Sequence, residues 1–132
     1  NEIFNSDASV FDKIRKFTDS YISFVIKNPF LPTFIIQEMN NNPDFVERFL
    51  NNQNRPNPTI LIAQIENEIA QGIIKEIHPK QLLLDIFSMT IFPFAAQVLV
   101  KGMIQINEKE FFELMEQRKF HITEQIINAI KK

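Results

Sequence analysis

The longest apolar stretch of the chain covers residues 82–100 and has the sequence LLLDIFSMTIFPFAAQVLV. Its only polar side chains are Asp85, Ser88, Thr90 and Gln97. A helix at the rim of a small domain has apolar residues on one face and polar residues on the other. Because this segment is apolar almost all round, we expect a central helix that its own domain covers on one side and a second subunit covers on the other.

A membrane span is the alternative for this segment, since about 20 apolar residues cross a bilayer. Asp85 and Gln97 would then lie in hydrocarbon, and Pro93 would interrupt the run. Aromatic belts and flanking basic clusters, which mark the ends of membrane helices, are missing. In a chain that is 23% charged, we therefore expect a buried helix and no membrane association.

Hydrophobic spacing and turn residues predict helices along the rest of the chain. The first helix is expected to begin at a cap formed by Ser6 or Asp7 and to end near Lys27, because the residue before Pro29 is disfavoured in the α region. The remaining predicted helices cover residues 33–39, 44–50, 58–77, 79–101 and 108–130. With about five to six helices and no sustained alternation typical of strands, the sequence predicts a single all-α domain over residues 1–132.

Composition restricts the chemistry of the chain. The absence of Cys excludes disulfides, thiolate nucleophiles and Cys-based metal sites, and it is compatible with a reducing cytoplasm, where we expect the protein. The formal net charge of −2 provides no basic surface for phosphates. We therefore do not expect this chain alone to bind nucleic acid.

The side chains available for catalysis are few. His78 precedes Pro79 at a helix boundary, where a capping role is the better interpretation, and His121 is expected to form a local polar pair with Glu124. The sequence contains no HExxH, GxSxG, glycine-rich phosphate loop or EF-hand spacing. We therefore predict no enzymatic activity, no catalytic residues, no metal ligands and no cofactor.

Large apolar side chains on several predicted helices are candidates for the wall of a ligand cavity. Ligand sites are concave, mostly apolar and sparsely polar. A solid core is the alternative for the same residues, and both interpretations stay open. Tyr21 and Gln37 are the best candidates for polar contacts with a ligand. The predicted lining residues are Phe17, Tyr21, Phe24, Phe34, Gln37, Ile62, Ile65, Phe87, Ile91 and Phe94.

Three stretches have an order and a character that occur together in one family of regulators. Residues 17–39, FTDSYISFVIKNPFLPTFIIQEM, are predicted to include a long helix that ends at Asn-Pro before a short one. A final pair of long helices is predicted over residues 82–99, LLLDIFSMTIFPFAAQVL, and residues 110–130, EFFELMEQRKFHITEQIINAI. In this order, over essentially the whole chain, the sequence resembles the C-terminal regulatory domain of TetR/AcrR-family transcriptional repressors.

The resemblance implies a TetR-like helical bundle whose last two long helices form a four-helix bundle across a homodimer. It also implies a bacterial sensor, in which a small apolar or amphipathic effector modulates DNA binding by an N-terminal helix-turn-helix domain that we expect to lie outside this chain. Duplex DNA would be bound only through that missing domain. A helical homodimerisation or protein-interaction module without a small-molecule ligand is the alternative. The predicted interface residues are Phe92, Ala96, Leu99, Phe111, Met115, Ile122 and Ile126.

Overall fold

The fold is known from a computed structural model that describes residues 3, 6–51 and 58–132, apart from the side chains of residues 49 and 50. This part of the chain is helical, with no β-strand beyond an isolated bridge between Ile74 and Lys131, so the all-α prediction is confirmed. The named helices are α1 (Val10–Lys27), α2 (Leu31–Asn41), α3 (Pro43–Leu50), α4 (Pro58–Ala70), α5 (Pro79–Ala95), α6 (Gln97–Met103) and α7 (Glu108–Ile130).

The first long helix begins later than the sequence predicted. Ser9, rather than Ser6 or Asp7, is the N-cap, and its hydroxyl oxygen accepts a hydrogen bond from the backbone N–H of Asp12 at 3.2 Å. The predicted end is confirmed, because Lys27 is the last residue of α1 and Asn28 forms the C-cap before Pro29. The sequence did not distinguish these positions, because several Ser and Asp residues precede the helix and each is a residue type that is favoured at an N-cap.

The predicted helix over 58–77 ends early, at Ala70. Gly72 adopts a left-handed conformation with φ +78°, and the backbone N–H of Ile73 bonds to the carbonyl of Glu68 at 3.0 Å. This arrangement is a common glycine-dependent helix stop. The chain beyond it places Ile74 in the core and bonds the backbone N–H of Lys75 to the carbonyl of Ile130 at 2.7 Å. The segment therefore ties the end of α4 to the end of the last helix.

The central helix starts as predicted but does not run to residue 101. His78 is its N-cap, with Nδ1 accepting from the backbone N–H of Lys80 at 3.1 Å, and Pro79 follows in the first turn. The helix ends at Ala95, and α6 continues from Gln97 at an angle of 82° to α5. Proline within a helix removes one backbone donor and its ring crowds the preceding turn. Pro93 removes the hydrogen bond to the carbonyl of Met89 in the turn before it, and the break itself lies three residues later, at Ala96.

The core is formed where α1 packs along α7 and where both contact the inner face of α5. Its fully buried residues include Ile22 on α1, Leu82 on α5 and Phe111 on α7. Among the residues that the structure describes, no single helix is long and apolar enough to cross a membrane; α5 and α6 pass that test only as a pair, with the 82° bend between them.

Candidate functional site

Helix α5 is apolar on two opposite sides. Its inner side, with Ile86, Thr90 and Phe94, is buried in the domain. On the outer side, Leu84 is 58% exposed and Phe92 is 55% exposed. Exposed large apolar residues on one helix face are unusual for a monomer when they recur at helical spacing. We call Leu84, Ser88, Ile91, Phe92 and Ala95 the outer face of α5.

An open groove of about 650 Å³ follows the outer face of α5. Its volume lies in the range of small-molecule sites, roughly 300–1,000 Å³, but it opens to solvent and is not an enclosed cavity. Apolar side chains form most of its wall, and one cation, Arg118 of α7, contributes to it. The groove is lined by Ile36, Phe87, Ser88, Met89, Ile91, Phe92, Pro93, Ala95 and Arg118.

Arg118 is held in place by a backbone carbonyl of α5. Its Nη2 donates a hydrogen bond of 2.6 Å to the carbonyl oxygen of Met89, while its Nε is buried without a hydrogen-bond partner. Burial lowers the pKa of this guanidinium from its ordinary value, because a partly desolvated charge is disfavoured. Within the described part of the chain, no carboxylate forms an ion pair with Arg118.

Three of the predicted ligand-binding residues form an aromatic cluster between α1 and α5. The rings of Phe17 and Tyr21 stack at a centroid distance of 5.8 Å, and Phe87 meets Phe17 edge-on at 5.6 Å. Burial raises the pKa of the Tyr21 phenol, because the charged form would be desolvated. Phe87 also lines the groove, so this cluster continues into it.

The other predicted ligand-binding residues are dispersed. Ile65 and Phe94 are fully buried core residues, and Ile62 packs half-buried against the core. Phe24, Phe34 and Gln37 are exposed and do not line the groove. Of the ten residues predicted from the sequence, the groove contains Phe87 and Ile91.

The predicted interface residues divide into two groups. Phe92 and Leu99 are exposed and Ala96 is half-buried, so all three are accessible to a partner. Four residues of α7 instead lie in the core of their own domain, where they pack against α1 and α5, and a partner has no direct access to them. These four are Phe111, Met115, Ile122 and Ile126.

The assignment on α7 differs because this helix carries apolar residues on more than one side. Its most regular apolar stripe faces inward, whereas the exposed side carries Leu114, Gln117 and His121. Spacing identifies a stripe but does not indicate whether the stripe faces the same chain or a second one.

The sequence interpretation also missed Arg118. The sequence does indicate the acceptor, because a proline at position 93 leaves the carbonyl four residues earlier, that of Met89, without its helical donor. The sequence does not indicate the donor, because Arg118 belongs to a different helix, 29 residues further along the chain.

Comparison of this chain with protein-family models, with curated proteins and with solved structures gives no match. In the described residues, no group of three His, Asp or Glu side chains is arranged to hold a metal ion.

Proposed function

We propose that this chain is a homodimerisation module whose interface is the outer face of α5 together with the adjoining side of α7, which carries Leu114 and Arg118. The observation that carries the proposal is the exposure of Leu84 and Phe92 on a helix whose opposite side is already buried. Fully burying one large apolar side chain contributes about 1.5–3 kcal/mol. An obligate interface of this type buries on the order of 2,000 Å² or more.

Two exposed phenylalanines allow a matched test of the interface. Phe92 lies on the outer face of α5, whereas Phe120, 72% exposed, lies about 200° around α7 from Arg118 and so faces away from α5. We expect Phe92→Lys to convert the dimer to a monomer in analytical ultracentrifugation, while Phe120→Lys leaves the dimer intact. Equal behaviour of the two variants would place the interface elsewhere.

Binding of a small apolar or amphipathic effector in the groove is a second candidate function and an alternative to coverage of the same face by a second chain. It is favoured by the groove and by the aromatic cluster that continues into it. The test is Ile91→Trp, which adds bulk to the wall of the groove. We expect this variant to lose binding of an apolar fluorescent probe such as 1-anilinonaphthalene-8-sulfonate, with the far-ultraviolet circular dichroism of the folded chain retained. Unchanged probe binding would remove the groove as an effector site.

Regulation of transcription is the wider role that the family resemblance suggests for such a dimer. The support is the order of elements: a long α1 that ends at Asn28-Pro29, a short α2, and the pair formed by α5 and α7. In this proposal the dimer holds two DNA-binding domains, and an effector alters their operator affinity through a coupling of about 1–3 kcal/mol. The chain itself, with its net charge of −2, is expected not to bind duplex DNA in a mobility-shift assay. Specific binding by residues 1–132 alone would contradict this assignment.

A further inference from the structure

In the part of the chain that the structure describes, two side chains of opposite charge lie beside the outer face of α5 without an ionic partner. Arg118 is fixed on the carbonyl oxygen of Met89, and Asp85 is exposed on α5 one helical turn before Met89. Across the ranges that the structure describes, neither side chain forms an ion pair. A guanidinium has five donors, so the single bond to Met89 leaves capacity for a carboxylate.

The apolar stripe beside these charges is symmetric about Ser88. Leu84 precedes Ser88 by four residues and Phe92 follows it by four, so all three lie on the same side of the helix. When two antiparallel helices cross at a two-fold axis, residues at equal distances from the crossing point face each other. A crossing at Ser88 therefore packs Leu84 of one protomer against Phe92 of the other, and the small serine allows the helices to approach closely.

The same symmetry brings the two charges together. Asp85 lies three residues before Ser88 and Ile91 lies three residues after it. In a crossing at Ser88, Asp85 of one protomer is therefore at the same height along the helix axis as Ile91 of the other. That level is two residues from Met89, or about 3 Å along the helix axis. Because Arg118 is held at Met89, its guanidinium lies within reach of the opposing carboxylate.

We propose that the chain dimerises by a two-fold crossing of α5 at Ser88, in which Asp85 of each protomer pairs with Arg118 of the other. This inference rests on the proposed homodimerisation and adds its geometry and its charge pairing. Arg–carboxylate pairs are short, charge-assisted and frequently bidentate. The two symmetric pairs give the interface its orientation, while Leu84 and Phe92 provide the apolar burial.

Charge reversal in two separate chains tests the pairing. Asp85→Lys and Arg118→Glu should each weaken the homodimer by about a hundredfold or more, because each unfavourable contact occurs twice and like charges across an interface are strongly disfavoured. An equimolar mixture should recover a dimer with near wild-type affinity. In that heterodimer the new lysine of one variant faces the new glutamate of the other, and the second pair is the native one. Asp19→Lys on α1 is the control, because it makes the same change of charge at an exposed position away from α5.

Sedimentation equilibrium of the single variants and of the mixture gives distinct outcomes. Two monomeric variants that form a heterodimer on mixing support the pairing. Variants that remain dimers overturn the pairing and leave homodimerisation intact, whereas a monomeric wild type overturns homodimerisation itself.

A second measurement avoids the risk that Arg118→Glu fails to fold. The wild-type dimer should dissociate more readily as sodium chloride is added, and Asp85→Asn should reduce this salt dependence. Equal salt dependence in the two proteins would also overturn the pairing.

Discussion

The guanidinium of Arg118 donates a hydrogen bond of 2.6 Å to the carbonyl oxygen of Met89, across the contact between α7 and α5. In an uninterrupted helix this carbonyl would accept the backbone N–H of residue 93, but Pro93 has none. The arginine therefore replaces a helical hydrogen bond that the proline removes. The same contact fixes the orientation of a partly buried cation beside the outer face of α5.

This relationship predicts a measurable coupling between Arg118 and Pro93. Arg118→Met should lower the free energy of unfolding by about 1–3 kcal/mol, because the Met89 carbonyl then lacks a donor. In a Pro93→Ala background, which restores the backbone N–H, the same change should be less costly. Urea unfolding of the double-mutant cycle at a fixed chain concentration measures the coupling, expected at about 0.5–2 kcal/mol. Additive effects of the two substitutions would mean that the arginine does not substitute for the missing donor.

Tyr21 is the only tyrosine, and the chain has no tryptophan, so its titration is visible without overlap. Because burial raises its pKa, tyrosinate absorbance in the folded protein should rise at a pH above the ordinary value of about 10. Unfolding in urea should return the midpoint to that value. A folded-state midpoint at or below 10 would contradict the burial of the phenol.

The same shift has a consequence for alkaline stability. A pKa that is higher in the folded than in the unfolded chain contributes stability below the unfolded pKa, and this contribution disappears as the pH rises through the folded pKa. The stability of the wild type should therefore fall more steeply above about pH 10 than that of Tyr21→Phe. Parallel stability curves for the two proteins would show that Tyr21 is not the cause.

A buried polar network joins the start of α1 to α4. Lys13 is only 2% exposed, and its Nζ donates to Oε1 of Gln64 at 2.5 Å. The amide nitrogen of Gln64 donates to the carbonyl of Ala8 at 2.8 Å and to the carboxylate of Glu68 at 3.0 Å. That carboxylate also accepts the backbone N–H of Val10 at 3.2 Å.

Replacing Gln64 should destabilise the folded protein, because this side chain joins the other members of the network. Gln64→Leu leaves several buried polar groups with fewer partners, so we expect the free energy of unfolding to fall by about 2 kcal/mol or more. Glu66→Gln, at an exposed position on the same helix, should change it by less than about 0.5 kcal/mol. Equal effects in chemical denaturation would show that the network contributes little.

The structure shows which kinds of sequence signal were sufficient. Local signals predicted both ends of the last helix, the end of α1 before Asn28 and the start of α5 at Pro79. These predictions succeeded because caps and prolines act on neighbouring residues in the chain. Gly72 shortened α4, although the hydrophobic spacing continued past it. Residues with long-range partners were not predictable in this way: the donor to the Met89 carbonyl is Arg118, 29 residues further along the chain.

The candidate site was harder to predict than the fold for a related reason. Periodicity indicated that α5 is apolar on two sides, and the structure has those two sides. On α7 the regular stripe through Phe111 and Ile122 faces inward, because these side chains form part of the hydrophobic core of their own domain. The lining of the groove depends on how α2, α5 and α7 are placed relative to one another, which no single segment encodes.

We propose that a second copy of this chain covers the outer face of α5. Sedimentation equilibrium of the unmodified protein at micromolar concentration tests it most directly, since one chain has a mass of 15.5 kDa. We expect a single species of twice that mass. A single species of 15.5 kDa across the micromolar range would contradict it, because Leu84 and Phe92 would then remain exposed to water.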